Sequence, residues 1–124
     1  MLRKRPSLKE LVGKLKQAKE FLEKGSKRFV NPVKVMGELQ QLEIDDSSEV
    51  FDLINQLLTE IKPEDYSGSR PPQRSYEKGY EGKELFAFAW SSSHLGKRMY
   101  LKFIILDNCF YYVSLHEDHP RGKI

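Results

Sequence analysis

The feature that most constrains this chain is a change of period near Lys83. Before it, apolar residues recur at helical spacing. After it, they alternate two by two, as strands require. Three helical stretches followed by three alternating ones predict an α+β domain, with the N-terminal helices packed on one face of a C-terminal antiparallel sheet of about three strands. At 124 residues the chain is read as a single domain.

Start and stop signals place the helices. Ser7-Leu8-Lys9-Glu10 has the form of a capping box. Leu8, Leu11, Val12, Leu15, Ala18 and Leu22 follow on one stripe, and Gly25 ends the run. Asn31-Pro32 predicts a second start, with Val35, Met36 and Leu39 as its apolar residues. Phe29-Val30 between them reads as a short extended segment. Asp46 caps a third helix carrying Val50, Leu53, Ile54, Leu57, Leu58 and Ile61, which Pro63 stops.

Residues 64–83 form a long basic loop holding Gly68, Pro71, Pro72, Gly79 and Gly82. Its Arg70 and Arg74 suit phosphate contacts, and Tyr66, Tyr76 and Tyr80 suit base stacking. An unliganded loop is the alternative reading. Strands are expected over 84–90, 98–106 and 109–116, and a flexible tail over 117–124.

Charge is segregated. Residues 1–28 carry ten Lys/Arg against three Glu, and residues 37–65 carry nine acids against Lys62. This layout suits one nucleic-acid-facing surface and one acidic surface, or simply solvated helix faces of both signs. A single cysteine, Cys109, excludes an internal disulfide and suits a reducing compartment. No segment has the length of a membrane span or the form of a signal peptide, so the expectation is a cytoplasmic protein with no membrane partner.

Strand phase decides what the candidate chemistry can be. On the middle strand, Met99, Leu101, Phe103 and Ile105 form an apolar face, and Arg98, Tyr100, Lys102 and Ile104 the other. On the last strand, Tyr111, Val113 and Leu115 are expected on the core side. A strict two-residue Asp107-Asn108 turn would mix these faces. A three-residue turn, 107–109, pairs Leu106 with Phe110, Phe103 with Val113, Lys102 with Ser114, Leu101 with Leu115 and Tyr100 with His116. Arg98, Tyr100, Lys102, Ser114 and His116 then share an exposed sheet face.

Such a cluster suits metal-independent RNA cleavage. RNA supplies its own nucleophile, the 2′-hydroxyl, so the protein need only move protons and stabilise charge on the phosphate. Histidine suits the first task, arginine and lysine the second. A metal site at His116-Glu117-Asp118-His119 is the competing idea. Its two histidines point to opposite faces of an extended chain, and no third well-spaced ligand is visible. No cofactor is expected. Cys109 reads as a small strand-end residue and His94 as a hairpin tip.

The segment MYLKFIILDNCFYYVSLHED resembles the C-terminal hairpin of the MqsR-type messenger-RNA interferase toxins. Upstream, LKQAKEFLEKG resembles their first helix, RFVNPVKVMGELQQLEID their short strand and small helix, and VFDLINQLLTEIKPEDY their third helix. The resemblance implies a RelE-like fold, a toxin of a type II toxin-antitoxin system that cleaves mRNA without metal, and a cognate antitoxin as partner. Of the family's catalytic set, the tyrosine of Tyr-Leu-Lys falls on Tyr100. Ser67-Gly68 stands where a Tyr-Lys is expected, with Arg70 the nearest cation. The expected glutamine falls near Phe86, and the terminal strand lysine on His116. A rebuilt catalytic set of Tyr100 and His116, with Arg70, Arg74, Arg98 and Lys102 holding RNA phosphates, is one reading. A catalytically inactive RNA-binding or protein-interaction module on the same scaffold is the other.

Overall fold

The structure is a computed structural model and describes residues 7–44, 46–67 and 83–118. Its elements run α1 (Leu8–Lys24), β1 (Lys27–Phe29), α2 (Pro32–Gln41), α3 (Ser47–Leu57), a 3-10 turn at Pro63–Asp65, β2 (Phe86–Ser92), β3 (Lys97–Leu106) and β4 (Cys109–Glu117). The α+β reading holds, with helices first and sheet last. The sheet has four strands rather than three and is mixed, in the order β1-β4-β3-β2.

The helix ends follow from local chemistry. Ser7 accepts a hydrogen bond from the Glu10 amide at 3.1 Å. Gly25 sits in the left-handed region at φ 82 and closes α1, with the Gly25 amide donating to Leu22 and the Ser26 amide to Phe21. That paired arrangement satisfies carbonyls the helix leaves open. Glu43 does the same after α2 at φ 59, although it carries a side chain. Asp46 caps α3 through the Ser48 amide at 2.9 Å. The helix ends at Leu57, short of Pro63, and irregular turns carry the chain between them.

The extra strand is β1. Lys27 pairs with Phe110, Arg28 with Tyr111 and Phe29 with Tyr112, all parallel. Its three residues are too few to display a period, and its partner lies far along the chain. The Phe29 ring packs 4.7 Å from Phe51 and 5.4 Å from Tyr112, which ties the strand to the core.

The β3–β4 hairpin corrects the expected turn. Asp107 and Asn108 have φ 52 and 57, so both adopt the left-handed conformation of a two-residue turn. Leu106 therefore pairs with Cys109 and Phe103 with Tyr112, not Val113. A bulge then shifts the register opposite Lys102/Phe103, after which Lys102 pairs with Ser114, Leu101 with Leu115 and Tyr100 with His116. The extra residue lies in the strand, at Val113, instead of in the turn.

The bulge also corrects the faces of β4. Phe110, Tyr112 and Leu115 join the main core, together with Met99, Leu101 and Phe103 of β3 and the buried faces of α1, α2 and α3. The Phe103 ring lies 5.9 Å from Phe88, 6.0 Å from Phe86 and 5.1 Å from Phe110, at the centre of an aromatic stack. Val113 turns the other way, into a second cluster with Leu85 and Ile104, against which Val30, Leu106 and Tyr111 pack. The second sheet face is thus partly apolar and buried, and only one end of it is polar.

Three further expectations change. Met36 is 66% exposed, as is Val33 at 81%, because only Val35 and Leu39 of α2 reach the core. Tyr66 and Ser67, expected in the long loop, are instead held against β2. Tyr66 bridges Phe88 in antiparallel fashion, and the Ser67 amide donates to Ala87 at 2.9 Å. Glu117 and Asp118, expected in the tail, are part of the sheet's hydrogen bonding: Glu117 belongs to β4 and the Asp118 amide donates to the Arg98 carbonyl. Among the described residues, no helix is long and apolar enough to cross a membrane.

Candidate functional site

The polar end of the second sheet face holds Arg98, Tyr100 and Lys102 from β3 and His116 from β4. Alternation along β3 places its three members on one side, since Met99, Leu101 and Phe103 are consumed by the core. The register brings His116 directly across from Tyr100. Their rings stack, with centroids 5.1 Å apart and planes 20° from parallel. The Lys102 ammonium lies 5.6 Å from the centre of the Tyr100 ring, within reach of a cation–π attraction. A cation, a phenol and an imidazole therefore follow one another across two strands.

The hydrogen bond of His116 fixes its chemistry. Its Nδ1 lies 2.8 Å from the Glu117 carbonyl oxygen. A carbonyl only accepts, so Nδ1 carries the hydrogen. In the neutral ring, Nε2 then bears the lone pair and is the atom that takes up a proton. Tyr100 is suited to a different role. Burial pushes its phenol above the usual value of 10, and the charges of Asp118 and Tyr66 add to the effect. The phenol stays protonated at neutral pH and acts as a hydrogen-bond donor, not a base.

Arg98 is already engaged. Its Nε lies 3.0 Å from Asp118 Oδ2, the arginine side chain being 51% exposed and the aspartate 25%. Sequence reasoning missed this partner by assigning 117–124 to a tail. The signal was present. With Met99 paired to Glu117, one further step along the ladder puts Arg98 across from Asp118.

Ser114 was expected in the same cluster but serves another purpose. Its hydroxyl donates to Glu38 Oε2, while the Tyr112 hydroxyl and the Leu115 amide donate to Glu38 Oε1. Strand β1 ends at Phe29, so among the described residues nothing continues the ladder on that edge of β4 beyond Tyr112. The Glu38 carboxylate takes over there, accepting the edge amide that a longer β1 would have bonded. A polar pocket of about 60 Å³ lies beside it, lined by Glu38, Gln41, Leu42, Lys97, His116 and Glu117.

A second carboxylate, Glu60, organises the β2–β3 hairpin. It accepts from Trp90 Nε1 at 3.0 Å, Ser92 Oγ and Ser93 Oγ at 2.7 Å each, and the His94 amide at 2.9 Å. His94 is at the hairpin tip, as expected. Cys109 is a buried residue at the start of β4. Of the remaining predicted site residues, Arg70 and Arg74 lie outside the described residues, as do His119 and the rest of the expected tail. Among the described residues, no group of three or more His, Cys, Asp or Glu side chains is placed to hold a metal ion.

The fold and the site together define an α+β domain with a basic, aromatic-lined patch at one end of its sheet. Comparison of the chain with protein-family models, with curated proteins and with solved structures gives no match in any of the three.

Proposed function

We propose that the chain is a toxin-like endoribonuclease of RelE-like build, acting on single-stranded RNA without a metal ion. The observation that carries this reading is the Tyr100–His116 stack, with His116 Nδ1 held by the Glu117 carbonyl. That bond leaves Nε2 as the proton-accepting atom of the neutral ring, stacked beside a phenol that stays protonated and near a lysine that would balance phosphate charge.

The reaction runs as follows. His116 Nε2 takes the 2′-hydroxyl proton, and the 2′-oxygen forms a bond to the adjacent phosphorus. The bond from phosphorus to the 5′-oxygen breaks, that oxygen leaves with a proton from water, and the proton held on His116 neutralises the hydroxide left behind. Tyr100 donates a hydrogen bond to the phosphate as charge builds on it, and Lys102 offsets that charge electrostatically. The products are a 2′,3′-cyclic phosphate and a 5′-hydroxyl. The toxin reading carries with it a protein antitoxin as partner.

The second reading is a catalytically inactive RNA-binding or protein-interaction module on the same scaffold. The Arg98–Asp118 pair favours it, because it places an acid at the rim of a site meant for phosphates. The absence of the family's lysine and glutamine favours it too.

The test is cleavage of single-stranded RNA by purified protein in the presence of EDTA. Wild type, His116→Gln and Tyr100→Phe are compared, and RNA binding by each is measured in parallel. Cleavage by the wild type that drops by about 10²-fold or more in His116→Gln, with binding retained, supports the enzyme. Binding without cleavage by a folded wild type selects the module. Neither binding nor cleavage refutes both RNA readings.

A further inference from the structure

Asp118 holds the one arginine of the sheet-face cluster that the described residues contain. Two contacts fix it. Its backbone amide donates to the Arg98 carbonyl at 2.9 Å. Its carboxylate returns to Arg98 Nε at 3.0 Å. The first contact continues the β3–β4 ladder past the last residue of β4, so the position of Asp118 is set by the sheet and not by its side chain.

The placement has a chemical consequence. A guanidinium that meets a carboxylate edge-on presents the same N–H donors it would offer a phosphate. Arg98, Tyr100 and Lys102 lie on one side of β3 at alternate positions, so Arg98 and Lys102 are about 13 Å apart along the strand. Phosphates of an extended strand laid along β3 would meet Lys102 at one end and Arg98 at the other. At the Arg98 end they would find a carboxylate already there. Resting on the RNA reading of this face, we infer that Asp118 is an internal stand-in for an RNA phosphate, occupying Arg98 in the free protein and giving way when RNA binds.

The exchange sets affinity and selectivity. A ligand with a single weak contact does not displace a partner anchored by its own backbone. A strand that engages Lys102 and the Tyr100–His116 stack first brings its next phosphate to Arg98 at high local concentration. The site therefore favours longer single strands over mononucleotides, and the pair lowers affinity for any anion that reaches Arg98 alone. The pair is only partly buried and worth little to stability, so it opens at low cost.

The experiment is a double-mutant cycle on binding of a labelled, 2′-O-methylated single-stranded RNA, which cannot be cut through its 2′-oxygen. Wild type, Asp118→Asn, Arg98→Gln and the double variant are compared by fluorescence anisotropy over a range of salt. Asp118→Asn is expected to tighten binding about two- to fivefold at low salt. It should also steepen the dependence of log K on log salt by about 0.7, as one added phosphate contact requires. In the Arg98→Gln background, Asp118→Asn should have no such effect. Tighter binding that persists without Arg98 would assign the gain to general charge and overturn the inference. Unchanged or weaker binding by a folded Asp118→Asn protein would overturn it as well. Absence of RNA binding by all four proteins, including the wild type, would instead refute the RNA reading on which it rests.

Discussion

Glu60→Gln tests how much one carboxylate contributes to the hairpin that carries the site. Burial opposes ionisation of Glu60, but hydrogen bonds from Trp90, Ser93, the His94 amide and Ser92 outweigh it and pull its pKa from 4.5 to about 2. A carboxyl whose folded pKa is depressed stabilises the fold above its unfolded pKa. That stability is lost as pH falls through the folded value. At about 1.4 kcal/mol per pH unit the full shift corresponds to at most about 3 kcal/mol. Glu60 is only partly buried, and solvent screening reduces the figure to about 1–2 kcal/mol. Glutamine keeps the shape but loses the charge, and turns an N–H pair toward groups that are themselves donors. Urea unfolding of wild type and Glu60→Gln should therefore differ by about 1–2 kcal/mol at pH 7. The gap should narrow between pH 5 and pH 2 and close near the lower end. Other carboxylates titrate equally in both proteins and cancel in the difference. A gap that stays constant down to pH 2 would refute the electrostatic argument, and no gap at pH 7 would show that the four hydrogen bonds contribute no net stability.

Three further outcomes follow from the packing. Phe103→Ala removes the centre of the aromatic stack and should cost about 3–5 kcal/mol, measured as the loss in unfolding free energy. Glu43→Gly relieves a side chain held at φ 59 and should raise stability by about 0.5–1 kcal/mol, visible as a higher midpoint in thermal unfolding. Glu38→Ala strips the acceptor from the Tyr112 hydroxyl, the Ser114 hydroxyl and the Leu115 amide. It should cost about 2–4 kcal/mol and speed hydrogen exchange at Leu115 more than at Leu101, an effect read by NMR.

The helices and the three longer strands were legible because each carries its own signal. Ser7, Asn31 and Asp46 mark starts, Gly25 marks an end, and the alternation from 97 to 106 marks a strand. Strand β1 was legible only as a short extended segment at Phe29-Val30; its place in the sheet was not, since three residues display no period and its pairing is non-local. The site was legible for a less obvious reason. Sequence patterning required one extra residue somewhere between Leu106 and Leu115 on the far side of the hairpin. Placing it in the turn or at Val113 gives the same partner for Tyr100, so His116 came out correctly even though the turn did not. The difference falls on residues 109–113: Cys109 joins the strand, Phe110 and Tyr112 face the helices, and Tyr111 and Val113 do not. Asp107-Asn108 admits the tight turn because short polar side chains tolerate positive φ. The role of Glu38 was not legible, since nothing in the sequence says where β1 stops short of covering β4.

The parallel pairing of β1 with β4 has a consequence for how the molecule is made. Lys27 meets its partner Phe110 only after about 80 further residues have been added. Phe29, Phe51 and Tyr112 come together across the same interval. During synthesis on the ribosome, the helical layer therefore emerges without the strand it packs against, its apolar faces waiting on a chain segment that does not yet exist. Non-local closure of this kind slows folding and prolongs the exposure of those faces. Because β4 lies between β1 and β3, the sheet, the helical core and the Tyr100–His116 pair all stay incomplete until it is in place.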